Sequence, residues 1–264
     1  MPESEYLEIF LDPIRKCASY TPKFGTSSRE NGLDVAGFRT LYGSDPFYSW
    51  IGLDSNLMYA AHKAAGGMTS VYRQIGIGCE RIFREILFDC TQYKDRESAT
   101  WSCTAATPSG KTKTLSLDGR ISLGDIQNPD MRERSAKWLA DYCQHLGIPK
   151  VPTGGAVFEV RQGYKSKDSK RQNADIDNAT VAWANDYMPV FAIFSAQIDT
   201  DIVLRYRNSR CGILTGMRGV GALVSLYDFM DEIVGYNLAG FFEANSINIR
   251  TEIEAILETL LRPE

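Results

Sequence analysis

One acidic side chain lies inside an apolar stretch and is followed by a run of basic residues. Glu159 stands within Val157–Val160, and the basic residues Arg161, Lys165, Lys167, Lys170 and Arg171 follow within twelve positions. An unpaired carboxylate is costly to bury, so this pattern requires a compensating positive group. A carboxylate at a strand end that leads into a basic cluster suits a metal ion and a polyanion. The alternative is a solvated strand end with surface salt bridges.

A second acid, Asp118, ends another predicted strand, directly before Gly119, where the chain can turn. Because side chains alternate along a strand, Glu159 and Arg161 share one face of theirs. If the two strands are neighbours, Asp118 and Glu159 converge on one divalent cation. Two carboxylates, water and a phosphate oxygen describe how Mg²⁺ is usually bound, and a basic group beyond the second acid can orient a water for attack on phosphorus. A turn role for Asp118 is the alternative.

The elements that must position these residues are both helices and strands. Apolar residues at helical or alternating spacing predict a helix at 69–90, a β-hairpin at 100–107 and 111–118, a helix at 131–146, strands at 156–163, 189–195 and 211–215, a helix from Ser169 towards Asn185, and a terminal helix at 249–260. This order is typical of a mixed α/β fold. We expect an N-terminal helical and irregular arm (1–68) and a core with C-terminal helices (69–264), packed as one domain.

Composition excludes several classes of protein. The chain has 264 residues, is 44% hydrophobic and carries a formal charge of -4, which argues against a fibrous or disordered protein and against one that coats nucleic acid through bulk charge. A local basic groove is compatible with that charge. The six cysteines form no Cys-x-x-Cys pair and there are two histidines, so we expect neither zinc nor a Ser-His-Asp or Cys-His enzyme. Without a leader or a long apolar segment, the sequence predicts a soluble, cytoplasmic protein.

The acids and their spacing resemble those of the PD-(D/E)XK nuclease superfamily, in particular type II restriction endonucleases. That core is a helix, three strands, a helix and a strand, with an acid ending the second strand and an acid-x-lysine on the third. The resemblance covers about residues 69–216, with Asp118 in the first position and Glu159-Val-Arg161 in the second. Arginine is too basic to accept a proton, so Lys165, which shares the face of Glu159 by parity, or Lys167 would take the role of the family lysine.

The resemblance implies a restriction-endonuclease-like core, with a central mixed sheet flanked by helices, and a Mg²⁺-dependent endonuclease acting on double-stranded DNA in a bacterial cytoplasm. Asp118 and Glu159 would hold the metal. Lys165, with Lys167 as the alternative, would position the attacking water, and Arg161 would stabilise charge on the scissile phosphate.

It also implies a homodimer, because a palindromic site calls for two active sites related by a two-fold axis, and a partner DNA methyltransferase. Lys165, Lys167, Lys170 and Arg171 would contact the DNA backbone, and the arm at 20–50 is a candidate for base readout. A nuclease of the same fold that serves repair, recombination or RNA cleavage, or a non-catalytic DNA-binding relative, is the alternative.

The remaining polar motifs receive simpler interpretations. Glu80 is either an auxiliary acid, as that superfamily often has, or part of a solvated helix face. Asp175 and Asp177 are assigned to the polar side of their helix. The glycines of residues 216–221 lack a following Lys-Ser/Thr and predict a loop before a helix. Finally, a bulge or turn at Gly163 is required if the following lysine is to reach back to the metal.

Overall fold

The structure, a computed structural model, describes residues 1–24, 32–106, 112–164 and 169–262. The predicted fold class is confirmed, because the protein is mixed α/β with a central mixed sheet flanked by helices. The contacts divide the chain into two units. The sheet unit comprises Met1–Tyr6 and Cys79–Glu243, and the helical unit comprises Leu7–Gly78 and Ala244–Glu264.

The helices and strands have the following bounds. The helices are α1 (Glu3–Arg15), α2 (Val35–Gly43), α3 (Pro46–Trp50), α4 (Asn56–Thr91), α5 (Pro129–His145), α6 (Ser169–Ala184), α7 (Thr200–Asn208), α8 (Leu226–Phe229), α9 (Leu238–Ala244) and α10 (Ser246–Leu261). The strands are β1 (Trp101–Ala106), β2 (Thr112–Leu117), β3 (Gly119–Ser122), β4 (Gly155–Arg161), β5 (Tyr187–Ile193) and β6 (Gly212–Leu214). Short 3-10 turns follow α1 and precede β1, and a π turn extends α8.

The strands form two sheets. The predicted hairpin is present, with β1 and β2 pairing antiparallel as a sheet of their own. The main sheet has the order β3-β4-β5-β6, in which β3 is antiparallel to β4 and the other pairs are parallel. The chain bends at Asp118, where the sequence predicted that it can turn, and passes from the hairpin into β3, which begins at Gly119 and pairs this residue with Phe158. A Cβ at Gly119 would lie 2.7 Å from the Phe83 ring, so the close approach of α4 explains the glycine.

The main sheet is buried on both faces, as expected for strands flanked by helices. On one face, Trp138 of α5 stacks on Phe158 of β4 with ring centroids 6.4 Å apart. On the other, Tyr206 of α7 stacks on Phe191 of β5 at 4.3 Å. Glu159 follows Phe158 along β4 and therefore points to the second face, the one that α6 and α7 cover.

The helical unit contains part of the segment predicted to be an irregular arm. Within 20–50, α2 begins after Asp34, whose carboxylate accepts from the Gly37 N–H, and α3 begins after Asp45, whose carboxylate accepts from the Phe47 and Tyr48 N–H groups. Asp, like Ser or Asn, is a preferred N-cap residue because it satisfies free N–H groups of the first turn. The segment is thus more regular than its Gly and Ser content suggested, although 25–31 lie outside the described residues.

The boundary between the two units differs from the predicted one at residue 68. It falls between Gly78 and Cys79, inside α4, a continuous helix of 36 residues that starts thirteen positions before its predicted start at 69. The C-terminal helix groups with the N-terminal segment, and an ion pair of 2.8 Å joins Arg15 of α1 to Glu252 of α10. Among the described helices, none has the length and apolarity needed to cross a bilayer.

Candidate active site

The two predicted acids lie opposite each other on neighbouring strands. Gly119 pairs with Phe158, and continuing this antiparallel register by one residue places Asp118 across from Glu159. Two hydrogen bonds fix the position of Asp118, whose N–H donates to the Phe158 carbonyl at 2.8 Å and whose Oδ2 accepts from the Val160 N–H at 2.8 Å. The sheet therefore brings together the two acids that the sequence placed at strand ends.

Arg161 supplies the positive charge that the buried Glu159 requires. Its Nη2 forms an ion pair with Glu159 Oε1 and another, of 3.2 Å, with Asp175 Oδ1. The three side chains are 16%, 14% and 5% exposed, respectively, so these pairs are shielded from water. The guanidinium is thus held between two carboxylates, which differs from the contact with a scissile phosphate expected from the sequence.

Asp175 is a buried centre of hydrogen bonding, and its assignment to the polar side of α6 was wrong. Its Oδ2 accepts from the Tyr164 hydroxyl at 3.0 Å and from the Tyr206 hydroxyl at 2.7 Å, and the two hydroxyls lie 2.6 Å apart. The signal for this burial was available, because Asp175 shares a helix face with Ala179 and Ala182, which are also buried. Asp177, in contrast, is exposed as predicted.

Glu80 of α4 belongs to the same electrostatic environment. Burial raises its pKa to about 7, the Asp118 carboxylate adds to the rise, and the guanidinium groups of Arg161, Arg84 and Arg171 oppose it. Arg84, one helical turn after Glu80, donates from Nε to the Asp118 carbonyl at 3.2 Å. Of the two interpretations of Glu80, the structure therefore favours an acid close to the site over a fully solvated one.

The buried carboxylates hold protons more strongly than ordinary acids. Burial raises the pKa of Glu159 to about 8, Arg161 opposes this, and the carboxylates of Asp118, Asp175 and Glu80 increase it. Burial also raises the pKa of Asp118, although the hydrogen bond from the Val160 N–H and the charges of Arg161 and Arg84 lower it in part. Both carboxyl groups therefore favour their protonated form more in the folded protein than they do in water.

The structure describes only part of the basic run that follows β4. Lys165 and Lys167 lie outside the described residues, whereas Lys170 and Arg171 are exposed in the first turn of α6. The turn expected at Gly163 occurs one residue earlier: β4 ends at Arg161 and the chain bends at residue 162. The strand thus does not continue straight through Tyr164, which forms a separate bridge with Ile198 of the segment after β5.

Within the described parts of the chain, no group of three or more His, Cys, Asp or Glu side chains is arranged to hold a metal ion. Asp118 and Glu159 are two carboxylates, the hard oxygen donors that Mg²⁺ prefers, and Mg²⁺ usually keeps several waters and takes one or two protein carboxylates. A divalent cation beside them would favour the ionised form of both carboxyl groups. The donor set therefore fits Mg²⁺.

No protein-family model matches the chain, and neither does any curated protein or solved structure. The function is accordingly inferred from the chemistry of the site.

Proposed function

We propose that this protein is a Mg²⁺-dependent endonuclease that hydrolyses phosphodiester bonds of double-stranded DNA at a specific site. The observation that carries the proposal is the position of Asp118 opposite Glu159, with Arg161 two residues after Glu159, where β3 begins and β4 ends in the mixed sheet. Buried carboxylates with raised pKa values are typical of functional sites, because burial there is not fully offset by partners.

The metal would be held by Asp118 and Glu159. When bound, Mg²⁺ polarises a phosphate oxygen and lowers the pKa of a coordinated water. The hydrogen bond from the Val160 N–H to Oδ2 of Asp118 supports this role, because it fixes the orientation of the carboxylate. Glu80 is a third acid that would add negative charge near the same place.

Arg161 is assigned a positioning role in this proposal. Its ion pairs with Glu159 and Asp175 hold the Glu159 carboxylate in place, and Tyr164 and Tyr206 in turn hold Asp175. Arginine does not deprotonate water near neutral pH. The residue that orients the attacking water is therefore sought in the lysines at 165 and 167, as the sequence predicted.

DNA would be bound through local positive charge, since the whole chain is acidic. Lys170 and Arg171 are exposed at the start of α6, where the helix dipole adds to their attraction for phosphate. A restriction enzyme of this kind would act in the bacterial cytoplasm as a homodimer on a palindromic site, with a methyltransferase protecting the host DNA.

A non-catalytic DNA-binding protein is the second candidate, and one observation favours it. Arg161 occupies the place of the family lysine and is committed to two carboxylates, which leaves it unable to activate water. In such a protein the acidic pair would be a remnant, while the basic start of α6 would still bind DNA.

The two candidates differ in their response to metal. Incubation of the protein with a plasmid of known sequence in 10 mM Mg²⁺ is expected to give discrete fragments, and EDTA is expected to prevent them. Glu159→Gln is expected to abolish cleavage while retaining DNA binding. Glu133→Gln is the matched control, because Glu133 is exposed on α5, and it is expected to cleave normally. DNA binding without metal-dependent cleavage would support the non-catalytic candidate, and a smear of unrelated fragments would remove the sequence specificity.

A further inference from the structure

The loop that follows β6 lies close to the candidate active site in the sheet. In the two parallel ladders, Glu159 pairs with Phe191 and Phe191 pairs with Ile213. Ile213 is therefore level with Glu159 two strands away, roughly 10 Å at the usual strand spacing. β6 ends one residue later, at Leu214, and residues 216–221, here called the β6 loop, follow it at the end of the sheet where the parallel strand β4 also ends.

The β6 loop is held in one conformation by a side chain of α8. The Asp228 carboxylate accepts from the backbone N–H groups of Gly219 at 3.0 Å, Val220 at 2.8 Å and Gly221 at 2.7 Å. Gly216 donates to the Ser195 carbonyl at 3.3 Å, which ties the base of the loop to the end of β5. Such a loop presents its outward side chains at fixed positions.

The side chains that the loop presents are apolar and basic. Met217 is 48% exposed and Val220 is 43% exposed, and between them Arg218 forms an ion pair with Glu243 in which both side chains are more than half exposed. An exposed pair of this kind contributes little to stability. A phosphate could therefore replace Glu243 as the partner of Arg218 at little cost.

We propose that the β6 loop contacts DNA, with Arg218 binding a backbone phosphate and Met217 and Val220 packing against apolar base edges such as the thymine methyl group. The inference rests on the proposed nuclease function and adds a recognition element to it.

The test measures binding to a short duplex that contains the site cleaved by the wild-type protein. All proteins carry Glu159→Gln, so that cleavage does not interfere. Adding Met217→Ser and Val220→Ser together is expected to weaken binding about tenfold or more, as the loss of base contacts does elsewhere. Adding Arg218→Gln is expected to lower the slope of log affinity against log salt by about one. Leu204→Ser is the control, because Leu204 is 53% exposed on α7, and it is expected to bind as the parent does.

The outcomes separate this inference from the function on which it rests. Thermal unfolding first confirms that each variant is folded, as expected for exposed positions. If the wild-type protein neither cleaves nor binds DNA, the proposed function fails and the inference fails with it. If the wild-type protein cleaves but the loop variants bind like the Leu204→Ser control, the inference alone is overturned. Replacement of the T·A base pairs of the site one at a time should likewise weaken binding by the parent protein, and at the pairs that the loop contacts it should not weaken binding by the Met217→Ser, Val220→Ser variant.

Discussion

Replacing Glu159 with glutamine should change how the stability of the protein depends on pH. The pKa of Glu159 is raised from an ordinary 4.5 to about 8, mainly by burial. The folded state therefore holds this proton more tightly than the unfolded state does. The stability that the protonated group contributes is fully present below pH 4.5 and is lost as pH rises through 8. A glutamine of the same shape has no proton to lose.

The size of the effect follows from the shift. Each pKa unit corresponds to about 1.4 kcal/mol, so the full shift of Glu159 from 4.5 to about 8 corresponds to roughly 5 kcal/mol. The part that falls between pH 5 and pH 9 is about 4 kcal/mol, and the free energy of unfolding of the Glu159→Gln variant should rise by that amount relative to wild type over this range. Taking the difference between the two pH values cancels any effect of glutamine on packing.

The assay is urea unfolding of both proteins at several pH values, with and without 10 mM Mg²⁺. Mg²⁺ should stabilise the wild-type protein at pH 9, where the carboxylate is ionised, because a ligand that binds the folded state alone favours it. The variant should respond weakly. Glu133→Gln, at an exposed position, should follow wild type throughout. A wild-type-to-variant difference that stays constant from pH 5 to pH 9 would show that Arg161 fully offsets the effect of burial on Glu159, and would refute the argument that the pKa of Glu159 is raised.

Three further predictions concern neighbouring residues. Asp118→Asn should abolish Mg²⁺-dependent plasmid cleavage, measured on gels, while DNA binding is retained. Asp175→Asn should lower the free energy of unfolding by about 2 kcal/mol, since it weakens charged hydrogen bonds in a buried place, whereas Asp177→Asn on the exposed face of α6 should be neutral by urea titration. Lys170→Gln and Arg171→Gln should each lower the salt slope of DNA binding by about one.

Each of these predictions has an outcome that contradicts it. Full cleavage by the Asp118→Asn variant would move the first metal ligand to Asp125 or Glu80. Equal stability of the Asp175→Asn and Asp177→Asn variants would mean that the hydroxyl and guanidinium contacts of Asp175 contribute nothing. An unchanged salt slope in both basic variants would place the DNA on another face of the protein.

The meeting of the two acids could be predicted from sequence because it depends on local patterns. Alternation along a strand placed Glu159 and Arg161 on one face. Asp118 was predicted to lie at the end of the preceding strand, so it would come close to them if the two strands were neighbours. β3 was missed because it has four residues, Gly119–Ser122, too few to show an alternating pattern. The bend before Gly119 could be predicted from glycine's usual preference, whereas the close approach of the Phe83 ring, which leaves no room for a side chain at residue 119, could not.

The partners of the acids could not be predicted because they come from distant segments. Asp175 is separated from Tyr206 by 31 positions, and nothing in either local sequence indicates that the two meet. The sequence showed that Arg161 lies on the same face of β4 as Glu159. It did not show that the guanidinium also pairs with Asp175, because that contact depends on how α6 packs on the sheet. The spacing of residues along a strand or helix can therefore assign a side chain to one face of that element. It cannot identify which other segment of the chain packs on that face.

The hydrogen bond from the Val160 amide to Asp118 has a consequence for hydrogen exchange. This amide donates to a side chain 42 positions away, so its protection requires Asp118, directly before β3, to stay in place beside β4. Amide exchange at Val160 therefore reports the opening of the acid pair itself, separately from the unfolding of the parallel ladder. A single backbone proton thus offers a way to follow the integrity of the site in the intact protein, without substrate and without mutation.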